Sequence, residues 1–165
     1  MNQPFRELEI PGVFLARTRR HTDARGWLME VLRDDWLESA GLTACRPAMT
    51  YVSFTRPGVA RGPHEHSEQT DCFGFPGPSD FNVWLWDNRP GSAGFGRRLK
   101  LLLGESSPGL LIVPPGVVHA YRNAGRIDGL VVNCPNRLYA GLNHSGPIDE
   151  IRHEDNPDTQ FRLED

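Results

Sequence analysis

The chain has 165 residues, with 18 Lys and Arg against 21 Asp and Glu and a net charge of −3. This balance leaves no basic surface suited to nucleic acid or to an anionic membrane. The first residues lack an apolar signal core, and no apolar run approaches the roughly 18 residues of a membrane span. We therefore expect a soluble, cytoplasmic protein whose partner is a small molecule.

The cysteine, glycine and proline contents indicate the fold class. Cys45, Cys72 and Cys134 are odd in number and far apart, which argues against a disulfide framework and against a cysteine-type zinc site. The 17 glycines and 14 prolines are scattered along the chain, as is typical of many short strands joined by tight turns. We predict an all-β protein with three buried, unpaired thiols.

The N-terminal third contains the only notable helix that the pattern predicts. Two short strands are expected on either side of a turn at residues 11–12, followed by a polar turn that ends at Gly26 and leads into another strand. Asp34 and Asp35 are expected to cap a short helix, and Gly41 is expected to end it.

From residue 45 onward, short apolar strands alternate with corners that contain glycine or proline. The predicted strands span residues 48–55, 60–66, 71–76, 81–87, 96–103, 110–114, 117–122 and 128–134. Eight such strands favour a jelly roll or closed barrel, so we predict one domain over residues 1–165 with its core at about 45–135. One tryptophan of the 81–87 strand is expected to fill the core, and the polar segment after Tyr139 is interpreted as a solvated C-terminal surface.

Residues 58–71 carry the densest group of ligating and titrating side chains. If His64 and His66 lie on one strand, the two-residue period points both imidazoles to the same face. Because neutral imidazole is a common metal ligand, the pair either holds a metal or performs acid/base chemistry. The structural alternative is a polar outer face of a strand.

A second segment, residues 109–123, has an apolar strand, a Pro-Gly turn and a histidine. The positions that form a pattern across the two segments are Gly58, His64, His66, Asp71, Pro114, Gly116, His119 and Asn123. This pattern resembles the two sequence boxes of the cupin jelly roll, although Asp71 stands where glutamate is usual and the second box is one residue shorter. The resemblance implies that the three histidines and Asp71 bind one divalent metal, with Fe, Zn, Mn and Ni not distinguished.

A longer series of segments runs from about residue 20 to 157. It comprises residues 23–26 with Glu30, 58–64, 87–89 with Ser92 and 95–96, 113–119 and 154–157. In this order the segments resemble the dTDP-4-dehydrorhamnose 3,5-epimerase family, cupin-type jelly rolls that work as homodimers. The resemblance implies that His64 is the general base and that Asp155 orients it. The substrate contacts that it implies are Arg25, Glu30, Arg61, Arg89 and His119.

Three positions depart from that family. The epimerases place a lysine near Asp71, a glutamine at the position of His66, and a general-acid tyrosine six residues before Tyr139, where this chain has Asn133. The metal could replace the lysine as a Lewis acid that stabilises an enolate. Tyr139 or a metal-bound water is then the expected source of the returning proton. If the family's own mechanism holds, no metal is expected.

The leading functional prediction is a sugar-nucleotide epimerase or isomerase that transfers a proton next to the carbonyl of a dTDP-4-keto-6-deoxy sugar or related keto-sugar. The alternatives are an iron cupin of the oxygenase type and a non-catalytic sugar-binding cupin. The family resemblance further implies a homodimer in which the N-terminal strands, with Arg25 and Glu30, reach the partner's barrel.

Overall fold

A computed structural model describes residues 5–164, which form short strands and one short α-helix. The strands are β1 (Phe5–Glu7), β2 (Phe14–Arg17), β3 (Arg20–Asp23), β4 (Gly26–Met29), β5 (Tyr51–Thr55), β6 (Ala60–Glu65), β7 (Asp71–Gly77), β8 (Asp80–Asp87), β9 (Arg98–Gly104), β10 (Gly109–Val113), β11 (Val117–Asn123), β12 (Gly129–Asn133) and β13 (Ile151–Arg152). The helix α1 spans Asp34–Ser39, and short 3-10 turns span Thr43–Cys45 and Leu142–His144. The predicted all-β jelly roll with one short helix is confirmed, and β5 to β12 match the predicted strands to within a few residues.

Two antiparallel sheets enclose the main core. Their strand orders are β1-β2-β10-β7-β12-β5 and β13-β6-β11-β8-β9, and β3 pairs with β4 in a separate hairpin. Phe73 and Phe75 of the first sheet meet Phe81 and Leu85 of the second. The core also includes Leu8, Ile10, Val13 and Leu15, so it extends N-terminally beyond the predicted range of about 45–135.

The two tryptophans of β8 face away from this core. Because side chains alternate along a strand, Leu85 points inward while Trp84 and Trp86 point to the outer face of the five-stranded sheet. There they pack with Phe161, and Trp84 Nε1 donates a hydrogen bond to the carbonyl oxygen of Glu164 at 3.1 Å. The expectation that one tryptophan fills the barrel core is wrong, because the C-terminal segment covers both.

The start of the helix differs from the sequence expectation, whereas its end agrees with it. Asp34 and Asp35 lie within its first turn, and Arg33 occupies the capping position without a side-chain cap. The two carboxylates instead form ion pairs with Arg46 at 2.6 Å and with Arg33 at 2.7 Å. Gly41, with φ of +71°, follows the last turn as predicted.

The thiols follow the sequence prediction except that Cys45 is not fully buried. All three are free; Cys72 and Cys134 are buried and Cys45 is half-buried. Within residues 5–164, no helix has the length and apolar character needed to cross a membrane.

Candidate active site

A cavity of about 1040 Å³ lies between strands of the two sheets and residues 136–154. Its wall includes Tyr51 from β5, Arg61 and His64 from β6, and Tyr139 from the C-terminal part of the chain. The long segment after β12 therefore closes a space that the strands alone would leave open.

The pairing of β6 with β11 brings the histidines together. His64 stands directly opposite His119, and His66 follows the end of β6. Gly62 permits this close pairing, because a Cβ at its position would lie 2.5 Å from the carbonyl oxygen of His119. Its φ of +79° also favours glycine.

The three histidines form a compact cluster. One ligand-capable nitrogen from each of His64, His66 and His119 lies within 4.8 Å of the other two, so all three lie within about 3 Å of a common centre. The His64 and His119 rings are 4.5 Å apart between centroids. The two-residue spacing read from the sequence thus corresponds to convergence in space.

Asp71, the first residue of β7, is buried beside this cluster. Its Oδ1 accepts hydrogen bonds from Gln69 Nε2 at 2.9 Å and from Asn133 Nδ2 at 2.8 Å. Its Oδ2 lies 3.0 Å from His66 Nε2 and 3.3 Å from His119 Nε2. Burial alone would raise the pKa of Asp71, but His119 and His66 hold it below its ordinary value.

The contacts of the Nδ1 atoms of His66 and His119 determine the state of the Nε2 atoms that face Asp71. His66 Nδ1 contacts the carbonyl oxygen of Asp149, and His119 Nδ1 lies 3.1 Å from the carbonyl oxygen of Val117. Since a carbonyl only accepts, each ring carries a proton on Nδ1; its Nε2 then faces the carboxylate, as a donor when the ring is protonated and as a lone pair when the ring is neutral. Within residues 5–164, the buried Asp71 Oδ2 and His119 Nε2 have no hydrogen-bond partner.

These buried acceptors fit a divalent metal ion. Two ligands at right angles on a metal with bonds of about 2.0–2.2 Å lie roughly 3 Å apart, close to the separations around Asp71 Oδ2. Histidines that bind metals usually donate their second N–H to a carbonyl or carboxylate, as His66 and His119 do here. Imidazole and carboxylate together suit transition metals such as zinc and iron.

His64 is the most accessible of the three imidazoles and lines the cavity. Burial, together with the nearby His119 and His66, lowers the pKa of His64 to about 2. The ring is therefore neutral at physiological pH, with one nitrogen lone pair. Its Nδ1 lies 3.9 Å from Glu150 Oε1 and 3.7 Å from Glu154 Oε1.

Asp155, the carboxylate expected to orient His64, lies elsewhere. It is exposed, and within the described chain the carboxylates that approach His64 come from Glu150 and Glu154. Glu154, one residue before Asp155, is nearer to His64, because the direction of each side chain depends on how this segment pairs with β6.

The segment from Asp149 to Glu154, here called the C-terminal strap, is not the solvated surface that its polarity predicted. β13 adds to the edge of β6, and His153 Nε2 lies 2.8 Å from the buried Glu65 Oε1. The Asp149 carboxylate accepts backbone hydrogen bonds of 2.8 to 2.9 Å from Ser67, Glu68 and Gln69. The strap is therefore a fixed wall of the cavity.

The remaining predicted site residues fall into two groups. Arg61 and Tyr139 line the cavity, with Arg61 held by a hydrogen bond to Thr55 Oγ1 at 3.1 Å. Arg25, Glu30 and Arg89 are not among the described residues that line it.

Each of these three has a local partner. Arg25 is 90% exposed at the tip of the β3–β4 hairpin, where it pairs with Asp23. Glu30 pairs with Arg33, and Arg89 is held 2.8 Å from Asp87. The implied substrate role of Arg89 is not supported within this chain, because its guanidinium is engaged in joining β8 to the loop that follows it.

Sequence reasoning missed Tyr51 and Gln69 as site residues. Gln69 could have been noticed, since it precedes Asp71 by two residues and so favours the same side of the chain. Tyr51 had no such signal, because its contact with Asn133 depends on the pairing of β5 with β12.

Comparison with known proteins identifies relatives with this fold. Residues 7–140 match the family described as dTDP-4-dehydrorhamnose 3,5-epimerase. The probable low-salt glycan biosynthesis epimerase Agl13 of Haloferax volcanii is 34% identical over 120 residues, 72% of this chain and 74% of that protein. The spore coat polysaccharide biosynthesis protein SpsL of Bacillus subtilis is 36% identical over 118 residues, 70% of this chain and 73% of that protein. The crystal structure of a dTDP sugar isomerase from Desulfovibrio desulfuricans has a TM-score of 0.78 and 25% identity, with 94% of this chain and 93% of that one covered.

Proposed function

The chain belongs to the dTDP-4-dehydrorhamnose 3,5-epimerase family, and from this membership we propose that it inverts a carbon next to the ketone of a nucleoside-diphosphate keto-sugar. A dTDP-4-keto-6-deoxy sugar is the leading candidate. The observation that carries the proposal is His64, a neutral imidazole on the cavity wall with two carboxylates beside it.

His64 is assigned as the general base. It removes the proton from the carbon next to the ketone, whose carbonyl accepts the electrons and becomes an enolate. Glu150 and Glu154 then stabilise the imidazolium that forms, as a carboxylate does beside a catalytic histidine. Inversion requires the proton to return to the opposite face of the carbon.

The proposal includes a divalent metal ion held by His66, His119 and Asp71. The supporting observation is that Asp71 Oδ2 and His119 Nε2 are buried 3.3 Å apart and that neither has a hydrogen-bond partner within residues 5–164. When bound, such an ion supplies Lewis-acid stabilisation of the enolate oxygen, the task for which the family uses a lysine. Unlike the ligand set implied by the cupin boxes, this assignment leaves His64 free for proton transfer.

Cationic side chains on the cavity wall suit the diphosphate of the substrate. Arg61 and Arg137 both line the cavity, and Arg137 pairs with Glu68 at 3.0 Å. Guanidinium groups bind phosphate oxygens through two parallel hydrogen bonds. We assign Arg61 to the diphosphate because Arg137 already pairs with a carboxylate, whereas Arg61 donates to Thr55 Oγ1 and to the carbonyl oxygen of Phe54, each at 3.1 Å.

The assembly that we propose is a homodimer. The β3–β4 hairpin pairs only with itself among the described strands and exposes Leu28, which is 66% accessible. The edge strand β5 exposes Val52 and Phe54, which are 61% and 62% accessible. Contact between these apolar surfaces of two copies would bring Arg25 and Glu30 toward the partner's cavity.

A cytoplasmic location is also part of the proposal. The three cysteines are free, which suits a reducing compartment. Separation of cell fractions followed by immunodetection tests the location.

The test of the function is NMR of dTDP-4-keto-6-deoxyglucose in deuterated water with the purified protein. We expect solvent deuterium at a carbon next to the ketone, together with the inverted sugar. His64→Asn should reduce exchange by about 100- to 10,000-fold, the usual effect of removing a general base. Absence of exchange with dTDP, UDP and GDP keto-sugars alike would contradict the proposal.

A further inference from the structure

Tyr51 and Asn133 occupy facing positions on neighbouring strands. They are direct Cα partners in the pairing of β5 with β12. Tyr51 lies on the same side of β5 as Ser53, two residues away, and both line the cavity. A tyrosine side chain therefore enters the cavity beside position 133 although residue 133 itself is asparagine.

The hydrogen bonds around Asn133 determine which way its amide points. Asn133 Oδ1 lies 3.2 Å from the backbone N–H of Cys72, which can only donate. Asn133 Nδ2 lies 2.8 Å from Asp71 Oδ1, a carboxylate oxygen that accepts. Reversing the amide would place its NH2 group against the N–H of Cys72 and its oxygen against the Asp71 carboxylate. Both contacts are repulsive, so the observed orientation is the stable one.

This orientation makes the Tyr51 oxygen an acceptor. Asn133 Nδ2 lies 2.8 Å from the Tyr51 hydroxyl and donates to it. The hydroxyl proton of Tyr51 has no acceptor among residues 5–164, and the side chain lines the cavity. The proton is therefore available to a bound molecule.

We propose that Tyr51, on β5, is the proton donor of the epimerase reaction. It replaces the tyrosine that the family resemblance expects at position 133, on β12. The inference rests on the proposed epimerase function and adds a catalytic residue to it.

The positions of the two groups suit inversion. His64 belongs to the five-stranded sheet and Tyr51 to the six-stranded sheet, so they form opposite walls of one cavity. His64 takes the proton from one face of the carbon, and the Tyr51 hydroxyl gives its proton to the other face as the enolate becomes a ketone again. The resulting phenolate accepts the Asn133 hydrogen bond. It then regains a proton from water, and the His64 imidazolium loses one to water.

The other tyrosines of the cavity are less suited. Tyr121 is buried and its hydroxyl shares a 3.0 Å hydrogen bond with Ser53 Oγ. Tyr139 is about as exposed as Tyr51, at 48% against 46%, but it lies outside the two sheets, near His144 rather than beside Asn133. Burial raises the pKa of Tyr51 to about 12, so its hydroxyl keeps its proton at neutral pH.

The test compares Tyr51→Phe with Tyr139→Phe in the deuterium experiment on dTDP-4-keto-6-deoxyglucose. Tyr51→Phe should lose inversion by about 100- to 10,000-fold while His64 still exchanges the carbon-bound proton with retained configuration. A purely structural defect would reduce exchange and inversion together. A loss of inversion in Tyr139→Phe and not in Tyr51→Phe would overturn the assignment.

A double variant in which the two residues swap positions, Tyr51→Asn with Asn133→Tyr, provides a second test. It places a tyrosine on β12 facing an asparagine on β5, and we expect it to invert faster than Tyr51→Phe. Circular dichroism and thermal unfolding establish that each variant is folded. Inversion by Tyr51→Phe at the wild-type rate would overturn this inference and leave the epimerase function standing, whereas a wild-type protein inactive on every keto-sugar would overturn both.

Discussion

His153 Nε2 lies 2.8 Å from Glu65 Oε1, which joins the C-terminal strap to the strand that carries His64. Glu65 is 6% exposed and accepts a second hydrogen bond from Asn88 Nδ2 at 2.8 Å. The ring of Phe161 packs against His153 with centroids 4.6 Å apart. The contact between His153 and Glu65 holds Glu150 and Glu154 in position beside His64. A pair of residues outside the cavity thus supports the proposed general base.

His153→Ala should weaken both stability and catalysis. It leaves the buried Glu65 carboxylate with one donor fewer, which typically costs about 1–3 kcal/mol of unfolding free energy. Urea unfolding and kcat on the keto-sugar measure the two effects, and His21→Ala, an exposed histidine on β3, is the control for stability. Unfolding free energies equal to that of the wild type would show that the contact does not secure the strap.

Asp149→Ala should release the other end of the strap. The carboxylate accepts three backbone N–H groups, and its loss exposes the amides of Ser67, Glu68 and Gln69. We expect faster hydrogen exchange at these amides and a loss of about 1–3 kcal/mol in unfolding free energy. Exchange as slow as in the wild type would contradict the proposed clamp.

Metal analysis of the purified protein should find about one equivalent of a divalent transition metal. Asp71→Asn and His119→Ala should lose it and His64→Asn should retain it, because our assignment leaves His64 outside the ligand set. A chelator should lower the Tm of the wild type and leave that of His119→Ala unchanged. Loss of metal from His64→Asn would favour the four-residue ligand set implied by the cupin boxes.

Asp87 should contribute to acid sensitivity. Burial alone would raise the pKa of Asp87, but hydrogen bonds from Arg89 and Ser92 lower it below its ordinary value of 3.8. Its stabilisation is therefore present above about pH 4 and is lost as the pH falls through the folded-state pKa. Urea unfolding at several pH values should give a shallower acid-side slope for Asp87→Asn, and an unchanged slope would assign the acid sensitivity to other groups.

Phe54→Glu should dissociate the proposed dimer. Phe54 is 62% exposed on the edge strand β5, and a charge there would be desolvated in an apolar interface. Sedimentation velocity at micromolar concentration should show a monomer, whereas Leu102→Glu, at an exposed position on β9, should leave the dimer intact. A wild-type monomer at that concentration would contradict the proposal.

The fold class and the centre of the site could be predicted from local sequence patterns. Strand alternation and turn residues predicted β5 to β12 because both signals act over a few neighbouring residues. The spacing of His64 and His66 predicted a shared direction for the same reason. Residue order was also sufficient for the family resemblance that the comparisons confirmed.

The tertiary structure alone decided which side chains the site residues contact. Asn133 meets Tyr51, and His153 meets Glu65, only because the strands pair in one register. Composition predicted a solvated tail, since no local pattern shows that a polar segment will add to the edge of β6. Contacts between residues far apart in the chain depend on the packing of the whole sandwich, in which a shift of one residue along a strand would turn each of its side chains to the other face.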